Sequence, residues 1–186
     1  MRTIPDDNAG RPAETRRLYR WERECERRRK ERELRERVAE QKRTGEWQRA
    51  WEAMQAQKHF PTKRIVAIGK SMGGRVAAQM AAAGRLPAAA LIFLGYPLHA
   101  PGKPDRLRDE HLYRIRVPMH FFAGSRDPFC NLDILNGVLA RLTAPYNLEI
   151  IRGGNHAFGL PRSDERTESD IHEQIITKCL LWLKNG

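Results

Sequence analysis

An alternation of apolar runs and helix-like segments between residues 63 and 186 constrains the fold more than any other feature of the sequence. The predicted strands are residues 64–69, 88–95, 117–124 and 147–151, and the predicted helices are 72–84, 131–142 and a closing helix within 163–186. Strands that are apolar on both faces must be covered on both faces. The pattern therefore predicts an α/β fold in which helices flank a parallel sheet of about four strands.

Helix-ending and helix-starting residues support these limits. Gly84 follows an alanine-rich segment and suits a helix C-terminus, while Asn131 is a candidate N-cap. The apolar residues of the closing helix predict its buried face, which consists of Ile171, Ile175, Ile176, Leu180 and Leu183.

A different composition precedes these elements. Residues 11–43 are mostly Arg and Glu, with no glycine or proline after Pro12. These residues favour helix, and Glu-to-basic pairs four positions apart support an exposed one. We predict a charged helix or a disordered segment over residues 1–45 and a folded domain over residues 46–186.

The folded domain is predicted to begin with a further helix that ends near Phe60 and Pro61. Its apolar face, at positions i, i+4 and i+7, is formed by Trp47, Trp51 and Met54. Such a face needs a partner, most simply the sheet.

The formal net charge of +11 is spread along the chain. Residues 1–60 hold 17 Lys/Arg against 12 Asp/Glu, and residues 61–186 hold 17 against 11. A diffuse excess favours solubility and disfavours nucleic acid as a partner. An RNA-binding or partner-binding arm over residues 1–45 stays as an alternative.

The cysteines and the apolar runs define the expected setting of the protein. Cys25, Cys130 and Cys179 form no Cys-x-x-Cys pair, so neither a zinc site nor a redox dithiol is indicated. The N-terminus lacks the apolar region of a signal peptide. The longest apolar run is too short to span a bilayer. We expect a cytoplasmic protein without a metal or a cofactor.

The stretch IGKSMGGR, residues 68–75, contains parts of two glycine motifs. A phosphate-binding loop would require glycine at position 64, which is Arg64, and an open loop over residues 65–68. Those residues are Ile-Val-Ala-Ile, which favour a strand. The phosphate-loop interpretation is therefore rejected.

The second motif, Gly69-Lys70-Ser71-Met72-Gly73, fits its surroundings. It places Ser71 between a strand and a helix, as in the sharp turn that carries a hydrolase nucleophile. Such a turn strains the serine backbone, so the residues two positions away are expected to be small.

A nucleophilic serine needs a base and an orienting acid, which follow it in this chain order. Asp127 lies just after the strand 117–124, and His156 lies in the loop after the strand 147–151. The carboxyl ends of parallel strands meet at one edge of a sheet, where Ser71 also lies. The alternatives are a turn role for Asp127 before Pro128 and a surface position for His156. Five other histidines lack this placement: His59, His99, His111, His172 and His120, which lies within a strand and is predicted to be core.

These residues resemble the α/β-hydrolase superfamily, in its dienelactone-hydrolase-like branch. The nearest likeness is the hydrolase-like domain shared by a testis-expressed protein group and a subunit of the non-specific-lethal histone acetyltransferase complex. It covers residues 46–186 and is carried by GKSMGGRVA, GYPLHAPGKPDRLRDEHL, FFAGSRDPF and GGNHAF. The resemblance implies Ser71 as nucleophile, His156 as base and Asp127 as orienting acid.

The resemblance also implies further strands and a glycine-rich loop ahead of the nucleophile strand. Residues 1–45 show neither, so we expect the chain to correspond to the C-terminal portion of such a domain, with one sheet edge exposed.

The expected function is that of a serine hydrolase acting on an ester or related acyl substrate, with an activity impaired by loss of the glycine-rich loop, which in the family supplies one N–H of the oxyanion hole. The N–H of Met72 is the candidate oxyanion donor, and Lys70, Tyr96 and His99 are candidate pocket residues. Some members of the family serve as assembly parts. The alternative is therefore a catalytically degenerate interaction module that associates with itself or another protein through the exposed edge.

Overall fold

The computed structural model describes residues 13–56 and 64–185. Contacts between residues divide the chain into two compact units, residues 1–45 and 46–186. A long helix, α1 (Ala13–Gln55), includes the boundary between them. The predicted helix end near Phe60 and Pro61 lies outside the described residues.

The described part of the first unit is the charged part of α1. Ion pairs follow the helix at i, i+4 spacing, with 2.9 Å between Glu24 and Arg28 and 2.9 Å between Glu26 and Lys30. The few large apolar side chains here are exposed: Leu18, Trp21, Leu34 and Val38. A helix that is polar all round is stabilised by such pairs and not by a core.

The second unit contains a parallel sheet with the strand order β1-β2-β3-β4. Its strands are β1 (Val66–Lys70), β2 (Ala90–Leu94), β3 (Met119–Gly124) and β4 (Tyr146–Ile151). Three longer helices follow β1, β3 and β4, namely α2 (Met72–Ala82), α3 (Leu132–Leu139) and α4 (Glu168–Asn185). A short 3-10 helix, Leu112–Arg114, lies between β2 and β3. The predicted α/β class and the sheet of four parallel strands are confirmed.

Alternate residues of the strands enter two separate cores. Leu91 and Phe93 of β2 lie in a buried cluster with residues of α2 and α3 on one face, whereas Ile92 lies in a cluster with residues of α4 on the other. Burial of large apolar side chains on both faces stabilises the sheet, at roughly 1.5–3 kcal/mol for each side chain fully buried. This double coverage explains why β2 and β3 are apolar at nearly every position.

The helix ends follow their capping residues. The N–H of Gly84, at φ +69°, donates to Ala81 and that of Arg85 to Met80, so α2 ends in a Schellman motif. The Asn131 side chain accepts from the N–H groups of Asp133 and Ile134, as an N-cap does.

Two predicted contacts of the helices are wrong. Ile176 and Leu180 of α4 are 58% and 54% exposed, because the buried stripe runs from Ile171 and Ile175 through Cys179 and Trp182. The two exposed residues lie one position beyond that stripe. The second error concerns Trp51, whose buried neighbours are Val76 and Met80 of α2, with Ile65, directly before β1, packed beside them. Trp47 is largely exposed.

No helix among the described residues is long and apolar enough to cross a membrane.

His120 of β3 is buried as predicted, with a relative exposure of 1%. Its ring stacks on Phe122 and contacts Trp182 of α4, and neither ring nitrogen has a hydrogen-bond partner among the described residues. Burial, the largest cause, lowers the pKa of His120 below its ordinary value of 6.5. The Glu149 carboxylate opposes this shift and the Lys178 ammonium adds to it.

His120 should therefore make the fold sensitive to mild acid. The unfolded chain binds a proton near pH 6.5 that the folded chain binds only at lower pH, so the free energy of unfolding falls as the pH drops below 6.5. The slope from this group is at most about 1.4 kcal/mol per pH unit. In urea titrations between pH 7.5 and pH 5, His120→Leu should gain stability relative to wild type as the pH falls. His172→Leu, which changes an exposed histidine, is the control, and equal pH dependence in both variants would contradict the prediction.

Candidate active site

The turn between β1 and α2 holds Ser71 in an unusual backbone conformation. Its φ is 50° and its ψ is −121°, a region that costs a non-glycine residue about 1–3 kcal/mol. The Ser71 N–H donates to the carbonyl of Leu94, at the end of β2, over 2.9 Å. The strand end and the neighbouring strand together hold this strained conformation.

Close backbone contact makes the turn possible. A Cβ added at Gly69 would lie 2.4 Å from the Cα of Gly74, and one at Gly74 would lie 2.8 Å from the Gly69 carbonyl oxygen. A Cβ at Gly73 would meet nothing closer than the Trp47 ring at 3.9 Å. The expectation of a small residue two positions away holds for Gly69. On the helix side, the tight position is Gly74 instead of Gly73.

Asp127 lies in the loop after β3 and is buried. One carboxylate oxygen, Oδ1, accepts from the Phe129 N–H over 2.8 Å, and the other, Oδ2, lies 2.8 Å from Nδ1 of His156. A Cβ at Gly124 would lie 2.4 Å from the Gly154 carbonyl oxygen. This glycine therefore lets the loops after β3 and β4 approach each other.

His156, in the loop after β4, contacts both other residues. Its Nε2 lies 2.7 Å from Oγ of Ser71, and its Nδ1 faces Asp127. A carboxylate only accepts, so Nδ1 carries the hydrogen and Nε2 is left to accept from the Ser71 hydroxyl. The structure thus brings together Ser71, His156 and Asp127, three residues that the sequence placed at three strand ends.

The remaining candidate residues have different surroundings. Lys70 is exposed at the end of β1, and Met72 begins α2, so its N–H has no acceptor within the helix. Tyr96 is buried, and its hydroxyl donates to the Arg108 carbonyl over 3.0 Å. His99 is buried as well, with both ring nitrogens on backbone groups. Tyr96 and His99 therefore belong to a packed part of the loop after β2.

Sequence analysis missed two residues that contact His156. The phenyl ring of Phe129 lies against the imidazole, with 4.5 Å between ring centroids. Gly95, at φ +66°, leaves room beside it, since a Cβ there would lie 2.9 Å from the His156 carbonyl oxygen. Both residues occur in motifs of the resemblance, FFAGSRDPF and GYPLHAPGKP, but spacing alone gives no reason to select them.

Two other kinds of chemistry, a cysteine nucleophile and a metal site, can be compared with the described parts of the chain. Cys130 follows Phe129, but burial raises the pKa of its thiol to about 12, and the charge of the Asp127 carboxylate adds to this shift. It therefore stays a poor nucleophile near neutral pH. Within residues 13–56 and 64–185, no cluster of His, Cys, Asp and Glu side chains forms a metal site.

A family model described as an alpha/beta hydrolase domain matches residues 18–184. The chain belongs to this α/β-hydrolase family. The match begins inside the charged segment, well before the first described strand.

Solved structures share the fold at low sequence identity. An uncharacterized protein from Bacillus cereus matches with a TM-score of 0.57 and 14% identity, over 78% of this chain and 44% of that one. A monoacylglycerol lipase from Paleococcus ferrophilus matches with a TM-score of 0.55 and 11% identity, over 72% of this chain and 74% of that one. A dienelactone hydrolase-like promiscuous phosphotriesterase from metagenomic libraries matches with a TM-score of 0.53 and 17% identity, over 72% of this chain and 57% of that one. The chain thus spans about half the length of the first and third of these structures.

The glycine contacts predict unequal effects of three alanine substitutions. Gly69→Ala and Gly74→Ala force a Cβ against backbone atoms and should each destabilise by about 1–3 kcal/mol or more. Gly73→Ala is the matched control, because its Cβ has space and alanine favours helix by about 1 kcal/mol. Urea unfolding measures all three. A loss in Gly73→Ala equal to that in Gly69→Ala would contradict the assigned contacts.

Proposed function

We propose that the chain is a serine hydrolase that transfers the acyl group of an ester or related substrate to water. The observation that carries this proposal is the continuous hydrogen-bond chain from Ser71 Oγ through His156 to Asp127, with distances of 2.7 and 2.8 Å. A hydroxyl is a weak nucleophile unless a neighbouring base accepts its proton.

In the first half of the reaction, His156 Nε2 takes the Ser71 proton as Oγ attacks the acyl carbonyl carbon. The tetrahedral intermediate collapses when the imidazolium returns the proton to the leaving alcohol, and the acyl group stays on Oγ. Water then attacks with His156 again as base, and collapse releases the acid and restores the serine hydroxyl. Asp127 keeps the Nδ1 hydrogen in place and stabilises the imidazolium.

The Met72 N–H is the proposed donor to the oxyanion. It is the N–H directly after the nucleophile, at the positive end of α2, where negative charge is stabilised. Loss of one such donor costs on the order of 10²–10³ in kcat. Exposed Lys70 is the proposed pocket residue at the rim of this site.

The proposal predicts that labelling by a fluorophosphonate probe depends on the hydrogen-bond chain. Ser71→Ala should abolish labelling, and His156→Gln and Asp127→Asn should slow it. With a short p-nitrophenyl ester, each substitution should lower kcat by about 10⁴–10⁶-fold. Lys178→Gln, far along α4, is the control for nonspecific loss. Labelling of Ser71→Ala at the wild-type rate would sink the assignment.

A second candidate function, an interaction module, is favoured by the outer edge of β1. The Ile65 carbonyl accepts from the Ala89 N–H, and the Ser71 N–H donates to the Leu94 carbonyl. The backbone groups of the odd-numbered residues of β1 therefore face β2. The backbone groups of Val66, Ile68 and Lys70 alternate with these and turn outward. Within the described part of the chain no strand pairs with this edge.

We propose a second copy of this chain as the occupant of the edge. Ile68 is the middle residue of β1 and is 56% exposed. An antiparallel pair of β1 strands centred there would place Ile68 against its symmetry mate and pair the outward backbone groups of both copies. Such a self-complementary contact is what a two-fold dimer requires.

A charge at Ile68 tests this association. Ile68→Lys should shift the protein toward monomer in sedimentation equilibrium, because a buried lysine opposes edge pairing. Ile150→Lys is the matched control, since Ile150 is 40% exposed on the other edge strand, β4. The dimer proposal would be wrong if the wild-type protein were monomeric at all concentrations, or if both substitutions had equal effects on its association. An inactive but dimeric wild type would favour the module over the enzyme.

A further inference from the structure

The segment that follows Asp127 contacts both ionisable members of the hydrogen-bond chain. The Phe129 N–H holds Oδ1 of Asp127 at 2.8 Å, which leaves Oδ2 for His156 at 2.8 Å. Each carboxylate oxygen therefore has its own N–H donor. Two donors on two oxygens fix the plane of the carboxylate as well as its position.

The Phe129 side chain contacts the base itself. Its phenyl ring lies 4.5 Å from the imidazole of His156, centroid to centroid, at an interplanar angle of 41°. One residue thus orients the acid through its backbone and contacts the base through its ring. Rotation of the imidazole away from Ser71 would lose this ring contact and both hydrogen bonds at once.

His99 anchors the segment on both sides of Cys130. Its backbone N–H donates to the Phe129 carbonyl over 3.1 Å, and its Nε2 accepts from the Asn131 N–H over 3.0 Å. Since Nε2 accepts, Nδ1 carries the hydrogen and donates to the Ala100 carbonyl over 3.0 Å. His99 is 5% exposed, so these bonds are shielded from water.

We propose that Phe129 is a positioning residue that keeps the imidazole of His156 aligned between Ser71 and Asp127, and that His99 anchors Phe129 for this role. The inference rests on the proposed function of the same site. It gives His99, a predicted pocket residue, a supporting role through the bonds that it makes to Phe129 and Asn131. A misplacement of a reacting group by about 1 Å is enough to cost on the order of 10²-fold in rate.

The proposal is tested by Phe129→Leu, which removes the ring and keeps the backbone N–H, and by Phe129→Tyr, which keeps both. In protein labelled with ¹⁵N-histidine, the Nδ1 hydrogen of His156 should give a downfield proton resonance, assigned by its loss in His156→Gln. Phe129→Leu should weaken or broaden this resonance, and Phe129→Tyr should retain it.

On a p-nitrophenyl ester, Phe129→Leu should lower kcat by about 10-fold or more with KM unchanged.

Phe122→Leu is the matched control, because it removes a buried phenyl ring from β3 that stacks on His120. It should cost stability and keep the resonance. The proposal would be overturned if Phe129→Leu showed the same resonance and the same kcat as wild type. It would also be overturned if wild type itself lacked the resonance. If wild type shows no turnover but the resonance responds to Phe129→Leu, the positioning role holds and the hydrolase proposal fails.

Discussion

The arrangement of the site depends on the two hydrogen bonds of the His156 imidazole. The ring joins Ser71 to Asp127, residues that lie 85 and 29 positions away in the chain. Three strand ends must therefore meet within hydrogen-bond distance, and a parallel sheet provides this because its strands all end at one edge. The sheet order β1-β2-β3-β4 places β2 between the strands that precede Ser71 and Asp127, and Gly95, just after β2, lies against His156.

Glycine is what allows the loops to approach one another. At Gly69, Gly95 and Gly124, an added Cβ would lie within 2.9 Å of backbone atoms of another segment. Each contact joins a different pair of elements: the turn at Ser71 to α2, the loop after β2 to His156, and the end of β3 to the loop after β4. The strained backbone of Ser71 persists because these contacts and the buried sheet over-determine it.

Much of this could be predicted from the sequence, because it depends on local patterns. Apolar runs gave the strands, and the strand ends selected Asp127 and His156 from several acids and histidines. The failures concern which neighbour a residue meets. Ile176 fits an apolar helix face by spacing, yet only packing decides that the buried stripe of α4 lies one position away. The tight position at Gly74, next to the motif glycine, likewise depends on a close approach that no periodicity describes.

His99 shows the same limit at the site itself. A histidine that follows a strand at its carboxyl end is a reasonable candidate for substrate contact, and sequence cannot tell an exposed loop residue from a buried one. In the structure, both ring nitrogens of His99 are used by backbone groups, and the bonds that it makes hold the segment of Phe129. A buried polar side chain is retained only where its hydrogen bonds are made. The loop after β2 therefore adds rigidity to the segment that carries Phe129, and through it to the contacts of Asp127 and His156.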